Sequence, residues 1–167
     1  EIHERLVGSE MCIRDSAMQM DEKDELSAGG VHNGWYVCHD YIYEKAFCAS
    51  EDWREKRVIL EFEGIYKNAI VFLNGERIAV HEYGYTGFYI DISERLCYEK
   101  DNSIKVYVSN SEQPNSRWYS GTGIYRPVWL YLLPVEHIEM DGIRITTLPG
   151  EIPAIGIDIA TTGDGEL

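Results

Sequence analysis

The chain has 167 residues, which is enough for one ordinary domain, or for one domain and the beginning of another, and too few for a large multidomain enzyme. Hydrophobic residues make up 44% and charged residues 26%, a globular balance that excludes wholesale disorder, and no stretch approaches the ~20 apolar residues of a membrane helix. Fifteen Lys and Arg against 29 Asp and Glu give a formal net charge of −14, so nucleic acids and anionic membranes are excluded as partners.

The first 20 residues carry no clear periodicity. The run from Leu6 to Ser16 resembles a translated sequencing adapter, so we assign residues 1–20 to a disordered tail or a sequencing artefact. The sequence shows no secretory signal at its beginning. If the true start of the protein is missing, an export signal would be missing with it. The cysteines lack metal-site spacing and are predicted to be reduced and mostly buried, which favours a cytoplasmic location. They are Cys12, Cys38, Cys48 and Cys97.

From Trp35 onward, apolar and polar residues alternate in short runs separated by turn signals, a pattern typical of an all-β sandwich or barrel. The predicted strands are Trp35 to Phe47, Arg57 to Glu63, Lys67 to Leu73, Arg77 to Tyr83, Phe88 to Ile92, Ile104 to Val108 and Val128 to Leu132. Asn74–Gly75 lies between two of them and predicts a type I′ hairpin, because that turn needs two residues with positive φ.

A second β unit is predicted after Pro134. Alternation resumes at Ile143 and Ile145, and again at Ile155, Ile157 and Ile159. About 30 residues are too few for a self-sufficient core. The sequence therefore predicts a first domain over residues 21–134 and the truncated start of a second over residues 135–167.

The segment from Asn115 to Leu130 carries the most specific pattern in the chain, with a long loop that runs into Ile124, Tyr125 and Arg126 and then a strand. It closely resembles the end of the N-terminal sugar-binding domain of glycoside hydrolase family 2, which includes β-galactosidases, β-glucuronidases and β-mannosidases. Residues 34–36 and 58–75 agree in order and spacing. The resemblance implies a jelly-roll (galactose-binding-like) β-sandwich followed by the first strands of an immunoglobulin-like β-sandwich.

The resemblance also implies a function. The family's two catalytic glutamates lie on a (β/α)₈ barrel that would follow Leu167, so this chain is expected to be the non-catalytic N-terminal domain of a retaining exo-β-glycosidase, inactive alone. β-Galactosidase is favoured. Glu61 and Glu63 share a strand face, but we expect solvated outward carboxylates there rather than a catalytic pair. The implied partners are a β-galactoside or related glycoside and the missing domains of the same polypeptide, and homo-oligomerisation stays open.

The long loop supplies the candidate site. Asn115 and Arg117 are predicted to face sugar hydroxyls, and Trp118 or Tyr119 to offer a face to a sugar ring. An equal alternative is that Arg117 and Trp118 pin the loop to the barrel. We expect Arg126 to be structural, in a buried ion pair or a domain interface.

No cofactor is expected in this chain, because its histidines are scattered and no recognisable metal ligand set is present. The resemblance raises Mg²⁺ or Na⁺ as ions of the complete enzyme. Two other functions remain open, namely a stand-alone carbohydrate-binding module without catalysis and a structural sandwich that mediates protein contacts.

Overall fold

A computed structural model describes residues 2–7, 24–27, 30–33, 35, 39–112, 122–150, 152 and 154–163. These residues form twelve strands and short 3₁₀ turns, with no α-helix among them. Within them, no helix has the length and apolar character needed to cross a bilayer. The strands are β1 (Ile2–Val7), β2 (Tyr41–Cys48), β3 (Arg57–Phe62), β4 (Ile65–Tyr66), β5 (Ala69–Leu73), β6 (Glu76–His81), β7 (Phe88–Asp91), β8 (Asp101–Val108), β9 (Gly123–Ile124), β10 (Val128–Leu133), β11 (Ile138–Leu148) and β12 (Ala154–Thr161).

Two antiparallel four-stranded sheets make up the main body. One has the strand order β1-β10-β3-β7 and the other β2-β8-β5-β6. Their alternating apolar side chains meet in one hydrophobic core, with Phe62, Leu60 and Leu130 from the first sheet packed in the same cluster as Val71 and Val108 from the second. The two sheets and their shared core confirm the all-β sandwich predicted from the alternation. Apolar and polar residues alternate because each strand buries only one face of its pleat.

The hairpin predicted at Asn74–Gly75 is confirmed. Asn74 has φ 51° and Gly75 has φ 85°, and together they join β5 to β6. Two successive positive φ values match the twist of a type I′ turn, which glycine and asparagine adopt at low cost. This part of the fold follows from local sequence alone.

In the part of the chain that the structure describes, the connections that cross between the sheets leave from the two ends of the sandwich. At one end, which we call the loop end, β3 finishes opposite the start of β7 and β10, and β5 starts opposite the ends of β6 and β8. Three segments therefore connect the sheets at the loop end, namely residues 63–68, residues 82–87 and the segment between β8 and β10. The opposite end holds the Asn74–Gly75 turn and residues 49–56 and 92–100.

The sequence placed residues 1–20 in a disordered tail or a sequencing artefact, whereas residues 2–7 are a strand in the structure. These residues form β1, which pairs antiparallel with β10 from Ile2 opposite Leu132 to Val7 opposite Val128. Strand pairing with a distant partner overrides the weak local periodicity. Residues 8–20, with most of the adapter-like run, lie outside the described residues.

Two further sequence predictions differ from the structure. The first long strand begins at Tyr41 rather than Trp35, because Trp35 has φ 67°, a left-handed conformation that no strand accepts. Cys48 and Cys97 are free thiols as predicted, but they are exposed rather than buried. Cys12 and Cys38 lie outside the described residues.

The second unit is a two-stranded hairpin, β11–β12. Ile143 pairs with Ile159 and Ile145 with Ile157, so these isoleucines form an apolar ladder on one face. All four are more than 40% exposed. Arg144 opposite Asp158 marks the other, polar face. A hairpin of this size is marginally stable without a layer to cover its apolar face.

Candidate functional site at the loop end

Four tyrosines converge at the loop end. Tyr66 belongs to β4, Tyr83 and Tyr85 lie between β6 and β7, and Tyr125 follows β9. The ring centroids of Tyr66 and Tyr85 are 5.2 Å apart and those of Tyr83 and Tyr85 are 5.7 Å apart, both edge to face. Such edge-to-face pairs stabilise beyond simple burial. We call these four residues the tyrosine cluster.

Glycines make room for two of these rings. A Cβ at Gly64 would lie 2.7 Å from Cζ of Tyr125, and a Cβ at Gly84 would collide with the Tyr66 ring. The Tyr125 hydroxyl also donates a hydrogen bond to the carbonyl oxygen of Gly84, at 2.8 Å. This bond ties the segment after β9 to the loop between β6 and β7.

The cluster is buried at its base and open at its outer side. Tyr83 is 61% and Tyr85 is 50% exposed, while Tyr66 and Tyr125 are half-buried. Burial raises the pKa of Tyr125, against the opposing effect of the nearby Arg126 charge. The phenol therefore stays protonated and able to donate its hydrogen bond at neutral pH.

Arg126 does not form the buried ion pair that the sequence suggested. Its side chain is exposed, and the guanidinium carbon lies 5.5 Å from the Tyr125 ring centroid. A cation over an aromatic face is weakly attractive at an exposed site. The alternative role at a domain interface stays a prediction.

The predicted rim residues Asn115, Arg117, Trp118 and Tyr119 lie outside the described residues. The structure does fix the two ends of their loop. Asn110 and Thr122 are 1% and 2% exposed, and the Asn110 amide donates a hydrogen bond to the Thr122 hydroxyl at 3.1 Å. The loop therefore starts and finishes at the loop end, beside the tyrosine cluster.

Glu61 on β3 and Glu63 just after its end face outward as predicted, but they are half-buried and engaged rather than freely solvated. The Tyr131 hydroxyl donates to Oε2 of Glu61 and the Trp129 indole nitrogen to Oε1 of Glu63, each at 2.6 Å. Both contacts run diagonally, two residues beyond the direct partners of Trp129 and Tyr131 in the β10–β3 register, within reach of aromatic side chains. The sequence did not predict the contacts of Glu61 and Glu63 with Tyr131 and Trp129, because diagonal neighbours can be identified only when the strand register is known.

A cleft of about 490 Å³ lies at the opposite end of the sandwich, lined in part by Arg54, Lys56 and Arg57. Each of these cations already pairs with a carboxylate, on Glu51, Asp52 and Asp91 respectively. Glu94 also lines the cleft. The cleft therefore carries no excess positive charge to attract an anion.

The donor set for a metal is poor in the part of the chain that the structure describes. There, no group of three or more His, Cys, Asp or Glu side chains comes close enough to hold an ion. No chemical step is assigned to an ion among these residues.

Comparison with known proteins identifies the family. The profile described as "Glycosyl hydrolase 2 galactose-binding domain-like" matches residues 2–126. The chain belongs to glycoside hydrolase family 2. Its match is to the galactose-binding-like domain of that family, in agreement with the β-sandwich and with the sequence pattern from Asn115 to Leu130.

Relatives in glycoside hydrolase family 2 are glycosidases. β-Galactosidase BoGH2A of Bacteroides ovatus is 40% identical over 134 residues, which cover 80% of this chain and 15% of that protein. A putative β-glucuronidase of Formosa agariphila is 37% identical over 127 residues, covering 74% of this chain and 12% of that protein. The chain thus spans about 15% or less of these two relatives.

A solved structure agrees with the fold. A β-glycosidase from Bacteroides vulgatus superposes with a TM-score of 0.74 at 29% identity, covering 84% of this chain and 19% of that one. The chain corresponds to a small part of larger family 2 polypeptides, and that part is the galactose-binding-like N-terminal domain.

Proposed function

We propose that this chain serves as the non-catalytic N-terminal domain of a retaining exo-β-glycosidase that breaks down carbohydrate, with a β-galactoside as substrate. The observation that carries the proposal is the family 2 match over residues 2–126 together with the 15% share of the β-galactosidase relative. That relative also supports β-galactosidase ahead of β-glucuronidase. The partners are the sugar substrate and the further domains of the same polypeptide.

The role of the domain is to hold the edge of the substrate site. Its loop starts at Asn110 and finishes at Thr122, both buried, so the loop base is fixed while Asn115 and Arg117 donate hydrogen bonds to sugar hydroxyls. Trp118 and Tyr119 offer ring faces to the sugar. Orienting the sugar lowers the barrier without any proton transfer by this domain.

The domain itself supplies no acid/base pair in this account. A retaining glycosidase needs two carboxyl groups about 5 to 5.5 Å apart, one attacking the anomeric carbon and one donating a proton. Glu61 and Glu63 are the candidates on one strand face, and both already accept hydrogen bonds from β10. We assign catalysis to glutamates elsewhere in the polypeptide, and no cofactor to this domain.

The test uses the longest natural polypeptide that contains this chain. Arg117→Ala is expected to lower kcat/KM for an aryl β-galactoside by about tenfold or more, the loss expected for a charge-assisted hydrogen bond to substrate. Arg117→Lys keeps the charge without the planar fork and should recover part of the loss. The proposal fails if both variants keep full kcat/KM, or if an aryl β-galactoside is not hydrolysed at all.

A stand-alone carbohydrate-binding module is the second candidate function, and the exposed tyrosine rings at the loop end favour it. It differs from the first in predicting that no polypeptide containing this chain hydrolyses a glycoside. The same assay therefore separates the two candidates.

A further inference from the structure

Two exposed aromatic rings at the loop end are held in fixed positions. Tyr83 and Tyr85 are 61% and 50% exposed, although large aromatic side chains gain most free energy when buried. Their ring planes meet at 68°, and Tyr85 also packs edge to face on half-buried Tyr66. The rings are therefore braced from below rather than free to rotate.

The loop that carries them is anchored as well. The Tyr125 hydroxyl donates to the carbonyl oxygen of Gly84, the residue between Tyr83 and Tyr85. At the end of β6, His81 contacts Thr86 through its ring nitrogen, 3.1 Å from the carbonyl oxygen. A surface fixed before binding loses little conformational entropy when a ligand arrives.

The chemistry of this surface suits a neutral sugar. A tyrosine ring offers an apolar face for the C–H side of a pyranose and a hydroxyl that exchanges hydrogen bonds with sugar hydroxyls. Arg126 adds exposed guanidinium donors beside Tyr125. The net charge of −14 disfavours glycans that carry carboxylate or sulfate groups.

We infer that Tyr83 and Tyr85, braced by Tyr66 and Tyr125 and flanked by Arg126, form a binding surface for a neutral β-linked oligosaccharide. The inference rests on the proposed function for its choice of ligand, and it adds a contact for sugar units other than the one that is cleaved. The 68° angle between the rings suits a short, bent oligosaccharide better than a flat polysaccharide strand.

The test measures sugar binding by the 167-residue chain. A titration with a β-linked galactotetraose, followed by NMR of the tyrosine ring protons, should give a saturable shift at Tyr83 and Tyr85. Tyr83→Ala and Tyr85→Ala should each weaken the affinity about two- to tenfold, the effect of losing one aromatic contact. Tyr83→Phe keeps the ring and should retain most of the affinity.

The matched control is Tyr98→Ala, because Tyr98 lies at the opposite end of the sandwich, beneath Arg54. Its affinity should equal that of the parent chain, and circular dichroism confirms that every variant is folded. The inference is overturned if no saturable binding occurs, or if the Tyr83 and Tyr85 variants bind as well as the parent. It is also overturned if sedimentation shows instead a self-association that Tyr83→Ala abolishes.

These outcomes are separate from those of the proposed function. Tyrosine-dependent sugar binding with no glycosidase activity in the longer polypeptide removes the enzyme role and leaves this surface. An active enzyme without tyrosine-dependent binding removes only the surface.

Discussion

Gly64 shows how a single residue shapes the loop end. Its ideal Cβ position lies 2.7 Å to 2.9 Å from three atoms of the Tyr125 side chain, so alanine would push that side chain away from its hydrogen bond to Gly84. We expect Gly64→Ala to lower the free energy of unfolding by about 1–3 kcal/mol, as overpacking does in other cores. Urea unfolding measures the change.

The control for this variant is Gly150→Ala. A Cβ there would lie 3.4 Å from the nearest atom, an ordinary contact, so the change should be within about 0.5 kcal/mol. Equal stability of the Gly64 and Gly150 variants would contradict the packing described for Tyr125.

Tyr89 links the sandwich to the second unit and makes stability depend on alkaline pH. Burial, with the charges of Glu61 and Asp141, raises its pKa to about 12. In the unfolded chain the Tyr89 hydroxyl loses its proton near pH ~10. The stabilisation that comes from its raised pKa is therefore complete below that pH and is lost as the pH rises toward the pKa of the folded state. We expect the free energy of unfolding to decrease as the pH rises from about 10 toward about 12.

The measurement is urea unfolding at several pH values from about 9 to 11. Tyr89→Phe should flatten the decline, whereas Tyr83→Phe, which removes a hydroxyl from an exposed ring, should leave it unchanged. An identical decline in Tyr89→Phe and in the parent would rule out Tyr89 as its source.

At the level of elements, Asn102 joins the start of β8 to two turns. It is fully buried, and its side-chain oxygen accepts bonds from Asn74 Nδ2 at 2.9 Å and from the Cys97 backbone N–H at 2.8 Å. Its amide group donates to the carbonyl oxygens of Cys97 and Lys100. One side chain thus holds the β5–β6 turn and the connection from β7 to β8.

We expect Asn102→Ala to destabilise the fold by roughly 2 to 4 kcal/mol, because it leaves several buried polar groups without partners. Ser103→Ala, which removes only an exposed bond to Glu44, is the control and should cost less than about 0.5 kcal/mol. Thermal and urea unfolding of both variants measure the two losses of stability. If Asn102→Ala costs no more than Ser103→Ala, Asn102 does not hold the two turns as described.

Elements with a strong local pattern were predictable from sequence, and elements fixed by distant partners were not. The β5–β6 hairpin follows from Asn74–Gly75 and alternating neighbours. In contrast, β1 depends on pairing with β10, and the two-residue pair β4–β9 depends on the loop end being assembled. The tyrosine cluster brings together residues from three separate connections, so no local pattern indicated it.

The whole molecule combines a self-contained sandwich with a hairpin that has an uncovered apolar face. Ile145 and Ile157 pair across β11 and β12, and they are 64% and 53% exposed. Exposed apolar strands of this kind promote aggregation. We expect a chain ending at Pro134 to be more soluble than the 167-residue chain and to keep a cooperative unfolding transition.

A paired substitution, Ile145→Thr with Ile157→Thr, should improve solubility in the same way without shortening the chain. Hydrogen exchange should be faster in β11 and β12 than in β3 and β10, because the hairpin lacks a covering layer. Equal solubility together with equally slow exchange would show that the hairpin is part of the sandwich core and that the boundary near Pro134 is wrong.

We propose that this family 2 domain contacts sugar while catalysis belongs to another part of the polypeptide. The most direct test is hydrolysis of p-nitrophenyl β-galactoside by the purified 167-residue chain and by the longest natural polypeptide that contains it. We expect turnover by the longer polypeptide and no rate above buffer for the 167-residue chain. Turnover by the 167-residue chain that disappears in Glu61→Gln or Glu63→Gln would contradict this proposal.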